Sequence, residues 1–179
     1  DAKFFGNLYE KDKKFAINLY KSYLISLCNY LKNIGININT IPVLDVLRKN
    51  TNKIISNRSF SNKPKIVKEL GDVCIKTCNS LKIIPIIKHI PGHGCSKEDS
   101  HLKTPIVKIN QKILNNIDFY PFKSSSAKIA MTSHIVYSKI DPKNVATFSK
   151  KIIKNIIRKR IKFKGILISD DISMKALKF

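Results

Sequence analysis

Apolar residues recur at helical spacing in three parts of this chain, and between those parts lie short, unbroken apolar runs that end in polar loops. Over residues 10–31, Phe15, Leu19, Tyr23, Leu24, Leu27, Cys28 and Leu31 line one side of a 3.6-residue period and predict one long amphipathic helix. Asn33-Ile34-Gly35 supplies a C-cap signal, and residues 36–44, with Pro42 near the end, predict a short strand closing at Asp45. A polar stretch over 48–61 follows. Pro64 then opens a second helix, with Ile66, Val67, Leu70, Val73, Cys74, Cys78 and Leu81 on its apolar side. Residues 83–87 form the next predicted strand, with a histidine-rich loop after it. Residues 106–116 read as helical and 128–132 as another short apolar strand, followed by a loop over 133–147. Ser149 is a plausible N-cap for a helix bearing Ile152, Ile153, Ile156 and Ile157, residues 165–168 make a last strand, and 174–179 open a further helix.

Helix and strand thus alternate, and the strands are continuously apolar, as in parallel strands buried on both faces. The predicted class is α/β. Asp45, Lys88, His89, His134 and Asp170 each follow a strand's apolar run, and parallel α/β folds gather their sites at the C-terminal ends of strands. No GxGxxG or Walker-type loop follows any strand, which argues against dinucleotide and nucleotide binding.

Composition changes this picture little. With 43% apolar residues in 179, the chain can bury the core of one globular domain. The net charge of +22 would suggest nucleic acid, but the lysines are spread evenly and alternate with Ile and Asn, so a drifted surface is the expectation and no nucleic-acid partner is predicted. Cys28, Cys74, Cys78 and Cys95 make no CxxC pair and suit a reducing compartment; Cys74 and Cys78 share a helix face and are expected to pack in the core. No apolar run approaches a membrane span and no signal peptide is visible, so a cytoplasmic protein without membrane contact is expected.

Three of the 4 histidines, His89, His93 and His101, fall within one short stretch of loop, where proton transfer near neutrality becomes available. Asp170 and Asp171 are adjacent, so on extended backbone only one points into a site while the other braces the loop; one is a candidate nucleophile. Asp99 and His101 are two apart, which in extended structure puts carboxylate and imidazole on one side as a proton-transfer pair. A carboxylate nucleophile with a proton-transfer group is the minimal equipment of a retaining glycosidase. A metal-dependent hydrolase is the rival, since His89, His93, His101 and two acids are ligands by type; its weakness is that Pro91, Gly92 and Gly94 break the helix that His89 and His93 need for alignment.

Several ordered segments carry a closer resemblance. Lys88-His89-Ile90-Pro91-Gly92-His93-Gly94 with Asp99-Ser100-His101, Met131-Thr132-Ser133-His134, Ala146-Thr147-Phe148-Ser149, and Phe163-Lys164-Gly165 through Ser169-Asp170-Asp171-Ile172-Ser173-Met174 resemble the bacterial β-N-acetylhexosaminidases of glycoside hydrolase family 3. Pro42-Val43-Leu44-Asp45-Val46 and Asn57-Arg58-Ser59-Phe60 fit earlier segments of that family in the same order. The resemblance implies an incomplete (β/α)₈ TIM barrel, with residues 1–179 as the central part of its catalytic domain, and an enzyme that is a cytoplasmic monomer when full length. It implies release of terminal β-linked N-acetylglucosamine from muropeptides carrying 1,6-anhydro-N-acetylmuramic acid, by retaining double displacement in peptidoglycan recycling. Asp170 then matches the nucleophile, His101 the general acid/base and Asp99 its polarising acid, while Arg58, Lys88 and His89 match sugar-holding positions. No cofactor or metal is implied. A non-enzymatic alternative is a basic, truncated remnant that only binds anionic polymers.

Overall fold

A computed structural model describes residues 1–177. Four strands form a parallel sheet in the order β1 (Ile38–Asn39), β2 (Ile84–Ile90), β4 (Ile129–Thr132), β6 (Ile166–Ile168), and β3 (Ile106–Val107) pairs with β5 (Val136–Tyr137) in a small second parallel sheet. Helices α1 (Ala2–Lys11) and α2 (Lys13–Asn33) precede β1, and α3 (Pro64–Ser80) connects β1 to β2. The short α4 (Gln111–Asn116) lies between β3 and β4, and α5 (Ile152–Arg160), whose turns are widened to π-type pairing, leads into β6. β2 is buried along most of its length, as parallel strands are when covered on both faces, whereas Ile38 of β1 and Ile166 of β6 are exposed and β4 is buried only at alternate residues, so the expected two-face burial holds for β2 alone.

The expected helix over 10–31 is observed as α2, and a separate helix not expected from the sequence, α1, precedes it. Asp12 ends α1, its N–H donating to the Leu8 carbonyl, and caps α2 by accepting from the Phe15 N–H at 2.9 Å, so one side chain makes the break. The buried face of α2 is Ala16, Tyr20, Leu24 and Cys28, whereas Phe15, Leu19 and Tyr23 of the predicted stripe stay exposed. The i, i+4 row that meets α1 and α3 decides which face is covered, and size alone does not. In α3 the predicted face is buried over Ile66, Val67, Leu70, Cys74 and Cys78, with Pro64 in its first turn. Cys28 approaches Cys78 with sulfurs 3.6 Å apart, and Cys74 approaches Cys78 at 3.9 Å, all three packed in the core.

Two further expectations are corrected. Residues 106–116 divide into β3 and α4, because Ile106 and Val107 pair with Val136 and Tyr137 in the loop that the sequence left without structure. The predicted strand over 83–87 runs on through His89 to Ile90, so Lys88 and His89 are strand residues and not loop residues. The Ser149 cap is observed, its hydroxyl accepting from the Ile152 N–H at 3.0 Å. At the C-terminal end a tight turn (Lys175–Leu177) stands where a helix was expected, and residues 178–179 lie outside the described residues. No described helix is long and apolar enough to cross a membrane.

Candidate active site

The C-terminal ends of the four parallel strands bring the predicted polar residues together. After β1 the chain runs on beside β2: the Leu44 N–H donates to the Lys88 carbonyl at 2.7 Å, which sets the next residue, Asp45, against His89. The β2–β4 register shifts between Lys88 and Ile90, a bulge of the kind that re-aims a strand side chain. His89 consequently lies between two carboxylates, with Nδ1 2.7 Å from Asp45 Oδ2 and Nε2 3.8 Å from Asp170 Oδ2. Asp170 follows β6, and its Oδ1 accepts the Asp171 N–H at 2.9 Å. The division of labour expected for the acid pair is observed: Asp171 turns away and braces the loop through the Ser173 N–H and hydroxyl, at 2.8 and 2.7 Å.

His134 and its neighbours support this end of β6 from beneath. Its Nε2–H donates to the Asp171 carbonyl at 3.1 Å, its Nδ1 is 2.7 Å from the Thr147 hydroxyl, and Thr132 bonds both that hydroxyl and the Ile168 carbonyl. The peptide that carries Asp170 is thus held from β4. Lys88 Nζ donates to the Thr40 hydroxyl at 3.0 Å and shares the lining of a cavity of about 570 Å³ with Asn57 and Arg58. Burial and the nearby Arg58 charge hold the Lys88 ammonium below the usual lysine value, against the opposing pull of Asp170 and Asp45.

Asp99 and His101 also meet, although a turn and not extended backbone brings them together. Asp99 Oδ1 accepts both the His101 N–H at 2.8 Å and contacts its ring Nδ1 at 2.7 Å, leaving Nε2 as the ring nitrogen free to exchange a proton. Burial raises the Asp99 carboxyl, but the hydrogen bonds from His101 prevail and hold it below the ordinary aspartate value. The loop is tied to the segment after β6, since the Ala176 N–H donates to the Ser100 carbonyl at 3.1 Å and the Thr104 hydroxyl to the Ala176 carbonyl at 2.8 Å. Among the described residues no ion pair or hydrogen bond joins His101 to Asp170 directly.

The Pro91-to-Gly94 turn explains its own glycines. A Cβ on Gly94 would lie 1.9 Å from the Val46 carbonyl oxygen, and Gly92 has φ +142° with its would-be Cβ 2.7 Å from the Asp118 carbonyl oxygen. Backbone approaches this close admit only glycine. His93, between them, is buried at 3% exposure, donates its N–H to Asp45 Oδ1 at 2.5 Å and meets the His89 ring edge to face with centroids 5.5 Å apart. Among the described residues, no three His, Cys, Asp or Glu side chains converge in an arrangement that would hold a metal.

Burial, reinforced by the His89 charge, pushes His93 down from 6.5 to about 4. The unfolded chain binds this proton below about pH 6.5 and the native state only below about pH 4, so the contribution to stability is present above 6.5 and lost on acidification between the two values. Acidification from pH 7 to 4 is expected to remove about 3 kcal/mol through this group. Denaturant unfolding of the complete gene product at a series of pH values, compared with His93→Gln, checks it; an equal acid loss in the variant contradicts it.

The sequence places Asp45 among the strand-end residues but assigns it no partner, and it gives no sign of Arg48 or Asp118. Asp45 was placed at a strand end without a role, though a lone acid inside Val43-Leu44-Asp45-Val46-Leu47 is a usable signal of a buried carboxylate. Arg48 and Asp118 form a bidentate pair beneath the Gly92 turn, and no local pattern announces partners 70 residues apart.

The model of the glycosyl hydrolase family 3 N-terminal domain matches residues 16–179. The chain belongs to glycosyl hydrolase family 3. A β-hexosaminidase of Nitrosomonas eutropha is 30% identical over 174 residues, covering 96% of this chain and 49% of that protein. A β-hexosaminidase of Stenotrophomonas maltophilia is 31% identical over 174 residues, with 96% of this chain and 51% of that protein covered. Among solved structures, NagZ from Neisseria gonorrhoeae in complex with N-trifluoroacetyl-D-glucosamine superposes with a TM-score of 0.89 at 30% identity, covering 97% of this chain and 52% of that one. A family 3 β-N-acetylglucosaminidase from a Paenibacillus strain gives 0.85 at 27% identity, covering 90% and 32%. The family 3 N-terminal domain is a TIM-barrel-like α/β fold, and the parallel sheet seen here is part of one. The chain spans about half the length of the curated relatives it matches.

Proposed function

We propose that the complete gene product is a β-N-acetylhexosaminidase that removes terminal, non-reducing β-linked N-acetylglucosamine from muropeptides with a 1,6-anhydro-N-acetylmuramoyl unit. The observation that carries the reading is the Asp170 carboxylate at the end of β6, its Oδ2 3.8 Å from Nε2 of the strand-end residue His89. Family membership and the names of the relatives support it.

Asp170 attacks the anomeric carbon as the glycosidic C–O bond breaks, and protonated His101 delivers its Nε2 proton to the departing oxygen. The Asp99 carboxylate on Nδ1 orients the ring and stabilises its positive charge. The resulting ester between sugar and Asp170 is then hydrolysed: His101 takes a proton from water, the oxygen adds to the anomeric carbon from the face the leaving group vacated, and the Asp170 carboxylate is released. Two inversions give net retention. Arg58, Lys88 and His89 hold the sugar hydroxyls, and no cofactor is required by these steps. The setting is cell-wall recycling in the cytoplasm by a monomeric enzyme, with no nucleic-acid or membrane partner. A 5-fluoro N-acetylglucosaminide is expected to label the peptide containing Asp170 in the complete gene product, with retention seen by NMR of the product anomer; label on another peptide overturns the assignment.

A further inference from the structure

Asp45 has no exposure to solvent and therefore cannot touch a sugar, yet its carboxylate bonds three times to His89 and His93. Its Oδ1 accepts the backbone N–H of His89 at 3.3 Å and of His93 at 2.5 Å, and its Oδ2 lies 2.7 Å from His89 Nδ1. A carboxylate has only acceptors, so the ring nitrogen facing it must carry a proton. The other ring nitrogen is aimed at Asp170 Oδ2, 3.8 Å away. We propose that Asp45 is a positioning residue for the glycosidase reaction: its carboxylate locks a proton on His89 Nδ1 and so dictates what His89 Nε2 presents to the sugar beside the nucleophile. This rests on the reading of His89 as a sugar-holding residue.

The alternative to a lock is a structural tie, in which any polar atom of the right size would serve. Asparagine separates the two. Its single carbonyl oxygen must take over the two backbone N–H donors that Oδ1 holds, because an amide NH₂ cannot accept them. The NH₂ group is then left facing His89 Nδ1, which must give up its proton to become an acceptor. The proton moves to Nε2, and the ring can no longer be doubly protonated without a donor meeting a donor. Shape and backbone bonds are kept while the chemistry shown to the sugar changes, much as a wrong tautomer disables a catalytic histidine whose carboxylate partner becomes an amide.

The test uses the complete gene product with ¹⁵N-labelled histidine, and His89 is assigned by its missing signals in His89→Gln. The wild type is expected to show His89 Nδ1 protonated, and Asp45→Asn to show Nδ1 unprotonated and Nε2 carrying the proton. With a chromogenic N-acetylglucosaminide, Asp45→Asn is expected to lose on the order of 100-fold in kcat/KM, the size seen when a group that orients a ligating histidine is removed. A wild-type spectrum with an unprotonated Nδ1 overturns the proposal without any variant, so it remains decidable should Asp45→Asn fail to fold. A switched tautomer with unchanged kinetics, or unchanged tautomer with lost activity, also overturns it. Absence of hydrolysis by the wild type would instead count against the hexosaminidase reading, while the spectra still decide whether Asp45 sets the His89 proton.

Discussion

Asp170→Asn in the complete gene product is expected to lower kcat for an N-acetylglucosaminide by about 10⁴-fold or more, the scale on which removal of a nucleophile acts. That corresponds to roughly 5 kcal/mol of transition-state stabilisation. The substitution suits the question because the fold has little reason to notice it. The Asp171 N–H, now bonded to Asp170 Oδ1 at 2.9 Å, finds the same acceptor in an asparagine carbonyl, and His134 continues to hold the Asp171 carbonyl from below. What disappears is the anionic oxygen that faces His89 and that the proposed mechanism uses to bond the sugar. Thermal unfolding should therefore stay close to that of the wild type. Retention of more than about a hundredth of the activity would remove Asp170 from the nucleophile's role.

Arg48→Met is expected to produce the largest loss of stability, about 3 kcal/mol at neutral pH. Asp118 is fully buried, and the Arg48 guanidinium reaches it through both Nε and a terminal nitrogen. Burial already raises the Asp118 carboxyl above the ordinary aspartate value despite this partner. Without the guanidinium the largest influence opposing that burial is gone, and the folded-state value rises further. The sign follows from the proton count. With the folded carboxyl more basic than the unfolded one, stability is kept at low pH, where both states are protonated, and falls as pH rises through the folded value. Urea unfolding at pH 7 and at pH 4 checks this: the penalty should be smaller in acid, and a penalty independent of pH would mean that Asp118 does not stay buried.

The two residues differ in how plainly the sequence announces them. Asp170 stands at the end of an isoleucine run and beside a second acid, and both the run and the acid pair are local facts. The structure keeps that arrangement, with Asp171 bracing the loop as the alternation of side chains requires. The α3 helix was legible for the same reason, since Pro64 and the spacing of its apolar positions suffice to place it. The break at Asp12 was not. It lies inside Glu10-Lys11-Asp12-Lys13-Lys14, where every residue is compatible with a continuing helix, and only the packing of α1 against α2 makes a cap there worthwhile. The β3–β5 pair was equally hidden, because two residues carry no periodicity and the partners of Ile106 and Val107 lie 30 residues on.

By itself, then, the sequence determined the α/β alternation, the strand ends where polar side chains emerge, and the candidates for nucleophile and proton carrier. These follow from near-neighbour rules, in which a burial period or an interrupted apolar run constrains a few consecutive residues. Only the tertiary structure decided which of those groups meet. Asp45 reaches His89 across 44 residues because parallel pairing of the chain after β1 with β2 sets their register, and the bulge at the end of β2 turns the His89 ring toward Asp170. A shift of one residue in that register would send the same side chains to the opposite face of the sheet, and nothing within any single segment specifies it.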